Sequence, residues 1–232
     1  MTRMNTAHGP TAILFDFGGT LDADGVAWKD RFRRLWCEEV GEIAPKQFDP
    51  VFYAVDDALV GAIPATLSFH DTVGKITRGL SKAMGGSDDV VGARIAKRFV
   101  EESLERLHGN ALVLRDLSRR YRLGIVSNFY GNLSAVCREV GLSPFLAVII
   151  DSTVVGALKP DPEIFHAALR VLQIEPAQAV FVGDSLQRDM AGARAVGMAH
   201  VWLTSKLLQN GKACCPNDPV AHGLEDVRAL FA

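Results

Sequence analysis

The chain has 232 residues, 48% of them hydrophobic and 22% charged, with 25 Lys and Arg against 27 Asp and Glu. A net charge of −2 excludes nucleic-acid binding through an overall basic field, and the hydrophobic share excludes a disordered chain. No apolar run reaches the roughly 18 residues that span a bilayer.

The opening MTRMNTAHGP has no apolar h-region, so no secretory signal is expected there. Thr11 to Phe17 is a short apolar run broken by Gly18-Gly19, which predicts a buried strand. About a hundred residues of helical texture follow. Trp28, Phe32, Leu35, Trp36 and Val40 form one stripe that Gly41 can end. Asp49-Pro50 reads as an N-cap with Pro at N1, and Phe52, Val55 and Leu59 continue that helix. Ser68 is expected to cap a third helix and Ser87 to open a long fourth one through Val91, Ile95, Phe99 and Leu104. A structureless loop of this length is improbable, so residues 23–108 read as an inserted helical domain. Residues 1–22 and 109–232 then form the other unit.

Strand patterns return at Tyr121 to Ser127, Leu146 to Ile150, Ala179 to Gly183 and, more weakly, His200 to Thr204. Helical stripes lie between them, one through Leu133, Cys137 and Val140, another opening at Pro162. This alternation predicts an α/β fold, a Rossmann-like parallel sheet with helices on both faces. Ser205 to His222 departs from a compact ending and reads as a surface segment. The four cysteines, Cys37, Cys137, Cys214 and Cys215, form no CxxC pair, and no His stands at zinc-finger spacing. That usage suits a reducing cytosol, and the adjacent Cys214 and Cys215 read as surface thiols.

In open parallel sheets ligands bind beyond the carboxyl ends of the strands. Those ends carry Asp16 with Gly18 and Gly19, then Ser127-Asn128, then Lys159, then Asp184 with Asp189. Clustered carboxylates repel unless a cation joins them, and hard oxygens suit Mg²⁺. A carboxylate can also be the nucleophile of phosphoryl transfer, with Ser127, Asn128 and Lys159 on the phosphoryl oxygens. Gly18 and Gly19 allow a tight turn and close backbone approach to a ligand. Each residue alone has a blander reading as a turn former, cap or surface charge; their coincidence at the strand ends does not.

The segments DFGGTLD, VSN, GALKPDPEIF and VFVGDSLQRDMAGARAVGM resemble, in order, the four motifs of the haloacid dehalogenase (HAD) superfamily. The resemblance is to the branch with a helical cap inserted after the first motif, and it spans Ala12 to about Thr204. It implies a mobile cap over the site, Mg²⁺ as cofactor and, most often, phosphomonoester hydrolysis on a small phosphorylated metabolite, by a monomer or homodimer. Position by position, Asp16 matches the nucleophile and Ser127 the phosphate-binding hydroxyl, with Asn128 beside it. Lys159 matches the neutralising ammonium. Asp184 and Asp189 match the acidic metal-binding positions, and the main-chain carbonyl of Gly18 the remaining metal ligand.

The chain departs from the phosphatase pattern at Gly18, where most such enzymes carry a second Asp as general acid and base. Such a group contributes ~10²–10⁴-fold. Asp22, Asp24 or a cap residue such as His70 could supply the proton, or the substrate could have a good leaving group, or the protein could bind without turnover. If the missing acid limits the rate, Gly18→Asp should raise it. A dehalogenase is the alternative enzyme, and cleavage of a carbon–phosphorus bond would need a Schiff-base lysine among Lys29, Lys46, Lys75 and Lys82. Trp28, Phe32 and Trp36 read as packing, and Arg31, Arg33 and Arg34 as the wet face of their helix.

Overall fold

The computed structural model describes residues 9–86, 89–205 and 218–232. Its centre is a six-stranded, wholly parallel sheet in the order β3-β2-β1-β4-β5-β6. The strands are β1 (Ala12–Phe15), β2 (Arg122–Ser127), β3 (Leu146–Asp151), β4 (Ala179–Gly183), β5 (Ala199–Leu203) and β6 (Val220–Ala221). Because side chains alternate along a strand, a sheet covered on both faces needs apolar residues at every position. β1 shows this directly. Ile13 and Phe15 enter one buried cluster, Ala12 and Leu14 the other, and all four are fully buried.

Helices α7 (Pro162–Leu172) and α8 (Ala191–Ala195) cover the second face. The first face carries α5 (Leu133–Glu139), α9 (Leu224–Leu230) and the end of α4 (Asp89–Leu117). A short helix, α6 (Ser152–Val155), follows β3. Between β1 and β2 lie only helices: α1 (Trp28–Glu39), α2 (Pro45–Asp57), α3 (Phe69–Ala83) and α4. Their apolar stripes meet in an aromatic centre where Phe32 stacks on Phe99 at 4.1 Å between ring centroids. This centre is continuous with the first face of the sheet, since Phe32, Phe69 and Phe99 belong to the same buried cluster as Phe15 and Ile125. The boundary expected between residues 108 and 109 lies inside α4, which runs on to Leu117.

The structure corrects the sequence reading in three places. Helix α2 starts at Pro45 after Ala44, and Pro50 lies inside it. Pro45 already occupies the favourable first turn, and Asp49 is instead paired with Lys29 at 2.7 Å. Ser68 does cap α3, accepting a bond from the Asp71 amide at 3.0 Å. Second, the end of the chain is built into the fold. Val220–Ala221 pairs with β5, and α9 packs Leu224 and Val227 into the core. Third, Arg31 is 4% exposed, not solvated. Ser87, Cys214 and Cys215 lie outside the described residues. Cys37 and Cys137 are free thiols, and burial pushes Cys137 up to about 12.

Candidate active site

Strand register sets the site. Phe15 lies opposite both Ile125 and Val182, so β1, β2 and β4 end together. Asp16, Ser127 and Asp184 therefore emerge side by side at one edge. The Asp16 amide still bonds the Val182 carbonyl at 2.9 Å, which fixes the base of its side chain. After Asp16 the backbone makes a wide turn. Gly19 has φ 87°, and a Cβ there would stand 2.5 Å from an Asp184 oxygen. Only glycine meets both conditions.

Lys159 is buried to 4% exposure. Its Nζ lies 2.7 Å from Asp16 Oδ1 and 2.7 Å from Asp189 Oδ1. Ser127 Oγ donates to the same Asp16 Oδ1 at 2.7 Å, leaving Oδ2 without a hydrogen bond among the described residues. Burial works to lower the Lys159 pKa, but the charges of Asp16 and Asp189 outweigh it and hold the ammonium above its ordinary value. Asn128 lines the cavity and also holds the lysine. Its amide clamps the Lys159 backbone, accepting from Lys159 N at 2.7 Å and donating to Lys159 O at 3.1 Å. It positions the lysine through its oxygen and one of its two N–H groups.

Asp189 is held over Gly183, with Ser185 N donating to its Oδ2 at 2.9 Å. Among the described residues, the Asp184 carboxyl receives only a long side-chain bond, from Thr20 Oγ1 at 3.3 Å. Burial, then Asp189 and Asp16, push the Asp184 carboxyl well above the usual range, and Lys159 compensates only in part. Burial also raises Asp189, against the pull of Lys159. Asp16, Asp184 and Asp189 each offer an oxygen within 4.8 Å of the others. Three carboxylates on one ammonium leave a deficit of positive charge. Such an all-oxygen set fits a hard divalent cation.

These residues floor a cavity of about 210 Å³, below the roughly 300–1,000 Å³ of drug-sized pockets. Its walls bring in residues that sequence reasoning missed: Phe52, Tyr53 and Asp56 from α2, Phe129 and Tyr130 after β2, and Arg188 after β4. Trp28 both packs and lines the cavity. Tyr130 donates its hydroxyl to Asp56 Oδ1. Asp151, one residue beyond the expected end of its strand, accepts from Gly131 N and Leu133 N at 2.9 and 3.1 Å, holding the loop that carries Phe129 and Tyr130.

None of the three expected substitutes for the missing carboxylate lines this cavity. Asp22 is 1% exposed and fully engaged. It accepts from Gly19 N and Trp28 Nε1 at 2.7 Å each, from Arg31 at 2.8 Å and from Ser103 at 3.2 Å. Asp24 pairs with Arg106 at 3.0 Å, and His70 is an exposed partner of Asp71. The space beside Gly18 is occupied as well, since a Cβ there would meet Trp28 Nε1 at 3.1 Å. Of the cap lysines only Lys29 lines the cavity. Burial lowers its pKa, but Asp49 and Asp30 together raise it above the ordinary value, the opposite of what a Schiff-base amine requires.

The bovine (Bos taurus) haloacid dehalogenase-like hydrolase domain-containing protein 3 is 45% identical over 93 residues, 40% of this chain and 37% of that protein. A phosphoserine phosphatase of Thermus thermophilus is 37% identical over 91 residues, 39% of this chain and 35% of that protein. The match thus spans little more than a third of these relatives' own length. The L-2-haloacid dehalogenase of Xanthobacter autotrophicus superposes with a TM-score of 0.59 at 18% identity, over 96% of this chain and 98% of that one. At that identity the likeness is one of fold. The family model for haloacid dehalogenase-like hydrolases matches residues 10–197, and with its parallel sheet, helical insertion and acidic strand ends the chain belongs to that family of hydrolases.

Proposed function

We propose that the chain hydrolyses a small phosphorylated compound with the help of Mg²⁺, through an aspartyl-phosphate on Asp16. The observation that carries this reading is the charge deficit at the strand ends: three converging carboxylates and one buried ammonium. Asp16, Asp184 and the Gly18 carbonyl would hold the ion, with Asp189 beside it. When bound, it supplies positive charge against the phosphoryl oxygens.

Asp16 Oδ2, the oxygen without a hydrogen bond, is the one free to attack phosphorus as the bond to the leaving oxygen breaks. Lys159 and Ser127 hold Asp16 through Oδ1, and Lys159 offsets charge as it gathers on the phosphoryl group. Water then attacks the aspartyl-phosphate, releasing phosphate and restoring the carboxylate. With Gly18 in place of an acid and its surroundings filled by Trp28, the leaving oxygen takes its proton from solvent. Turnover therefore favours acyl and aryl phosphates over alkyl ones. Phosphatases among the relatives, one named for phosphoserine and one of Pyrococcus abyssi for glyceraldehyde 3-phosphate, support the reaction class.

The test is phosphate release from acyl, aryl and alkyl phosphates with and without Mg²⁺. Release that needs the ion, is lost in Asp16→Asn and falls steeply toward alkyl esters is expected. Metal-independent release of halide from 2-haloacids, without phosphate release, would replace this reading with dehalogenation. The retained pair Asp184 and Asp189 speaks against that outcome. Ligand binding with no turnover across the panel would make the protein a phosphate-ligand binder.

A further inference from the structure

Beyond the acidic floor, the cavity carries two charged groups that no ion pair among the described residues neutralises. Asp56 sits near the end of α2 in the helical insertion. Its Oδ1 takes the Tyr130 hydroxyl, and its Oδ2 has no hydrogen bond among the described residues. Arg188 belongs to the turn after β4 and makes no ion pair within 4.0 Å among the described residues. The two feel each other electrostatically yet do not form a salt bridge. Both line the same cavity as Asp16 and Lys159. The third charged wall residue outside the catalytic cluster, Lys29, is taken by Asp49 and Asp30 at 2.7 and 3.3 Å.

A half-buried anion on the insertion and an exposed cation on the turn after β4, lining one small cavity and not paired with each other, are complementary to a ligand that carries both charges. We propose that the compound this site accepts is a phosphorylated zwitterion of the amino-acid type, its ammonium meeting Asp56 and its carboxylate meeting Arg188. This rests on the phosphate-ester reading of the catalytic floor. Charge-assisted hydrogen bonds at both ends orient such a ligand, and Arg is suited to a planar carboxylate through two parallel N–H bonds. Trp28, Phe52 and Phe129 supply the apolar wall between the two ends. Tyr130 fixes the Asp56 rotamer. Burial and Asp56 hold its phenol well above the usual value, so it stays a donor. Burial also raises the Asp56 carboxyl, and an arriving ammonium reverses that penalty.

The experiment measures binding and turnover separately. Binding is followed by calorimetry on Asp16→Asn with Mg²⁺. The ligands are O-phosphoserine (both charges), phosphoethanolamine (ammonium alone), 3-phosphoglycerate (carboxylate alone) and glycerol phosphate (neither). O-Phosphoserine is expected to bind at least about tenfold tighter than either singly charged ligand. Adding Asp56→Asn should erase the advantage of the ammonium-bearing pair, and Arg188→Gln that of the carboxylate-bearing pair. Equal affinities across the panel overturn the proposal. Turnover of p-nitrophenyl phosphate by the unmodified enzyme reports on the hydrolysis reading. Selective binding without turnover retains this recognition and sinks the hydrolysis, whereas turnover with unselective binding does the reverse. If Asp56→Asn lowers kcat with KM unchanged, and most for poor leaving groups, Asp56 is a proton donor and the recognition role is wrong.

Discussion

Two buried ionic networks lie within a few residues of each other in the chain, and they are built to opposite rules. Around Asp22 every acceptor is used: Gly19 N, Trp28 Nε1, Arg31 and Ser103 all donate to one carboxylate, and one guanidinium balances its charge. Around Asp16 the balance fails, with three carboxylates sharing Lys159 and Asp184 left almost without donors. Asp22, Arg31 and Ser103 of the first network do not line the cavity, which that network touches through Trp28; the second forms its floor. Burial of charge is therefore not the mark of a site here. Incomplete neutralisation facing open space is.

The largest expected effect breaks the balanced network. Arg31→Met leaves Asp22 buried without its cation, and loss of one partner of a buried pair costs about 3–5 kcal/mol. Urea denaturation should show it as a lowered midpoint, and a loss below 1 kcal/mol would mean that Asp22 is not a structural anchor. The unbalanced network should respond in the reverse sense, by gaining a cation. Mg²⁺ at a hundred times its Kd should stabilise the protein by about 2.7 kcal/mol, seen as a rise in Tm. Asp184→Asn should abolish that rise while making the metal-free protein more stable than the parent, because a like charge is removed. An undiminished Mg²⁺ response in this variant would place the ion elsewhere.

A smaller effect tests the border between the two networks. The sequence alone leads one to expect that Gly18→Asp restores an acid and raises turnover. The structure sets a steric cost against that gain, because Trp28, bonded to Asp22 at 2.7 Å, stands 3.1 Å from the new Cβ. Overpacking of this kind costs about 1–3 kcal/mol, so the variant should be less stable and no faster on glycerol phosphate. A stable, faster variant would show that Trp28 yields. The smallest effect lies far from both networks. Ser68→Ala removes the cap of α3 and should cost about 1 kcal/mol without altering phosphate release, a reference against which the others are judged.

The acidic floor of the cavity was legible because strand ends are legible. Asp16, Ser127, Lys159, Asp184 and Asp189 each follow or adjoin an apolar run, and parallel topology alone brings such ends together. Cap residues carry no such rule. Asp56 and Tyr130 are far apart in sequence and meet only because α2 packs over the loop after β2. Arg31 was misread for a related reason. Helical periodicity places it near a polar face, but only the tertiary fold supplies Asp22 and Ser103 as partners that make its burial affordable. Asp49-Pro50 imitates a helix start that Pro45 already provides. Val220–Ala221 is too short to announce itself as a strand, since its identity comes from pairing with β5.

The tryptophans give the site a voice of its own. The chain contains three, and two of them touch the functional region from opposite sides. Trp28 lines the cavity from the insertion, while Trp202 donates its indole N–H to the Asp184 carbonyl at 2.9 Å from the sheet. Trp36 packs against Phe48 within the helical insertion and serves as a built-in standard. Native emission should therefore report occupancy without any attached dye, and an emission unchanged on adding Mg²⁺ and ligand would rule this out. Loading of the acidic floor should be sensed through Trp202, and filling of the upper chamber through Trp28. Phenylalanine replacements at the two positions would separate these optical channels and reveal the order in which ion and ligand arrive.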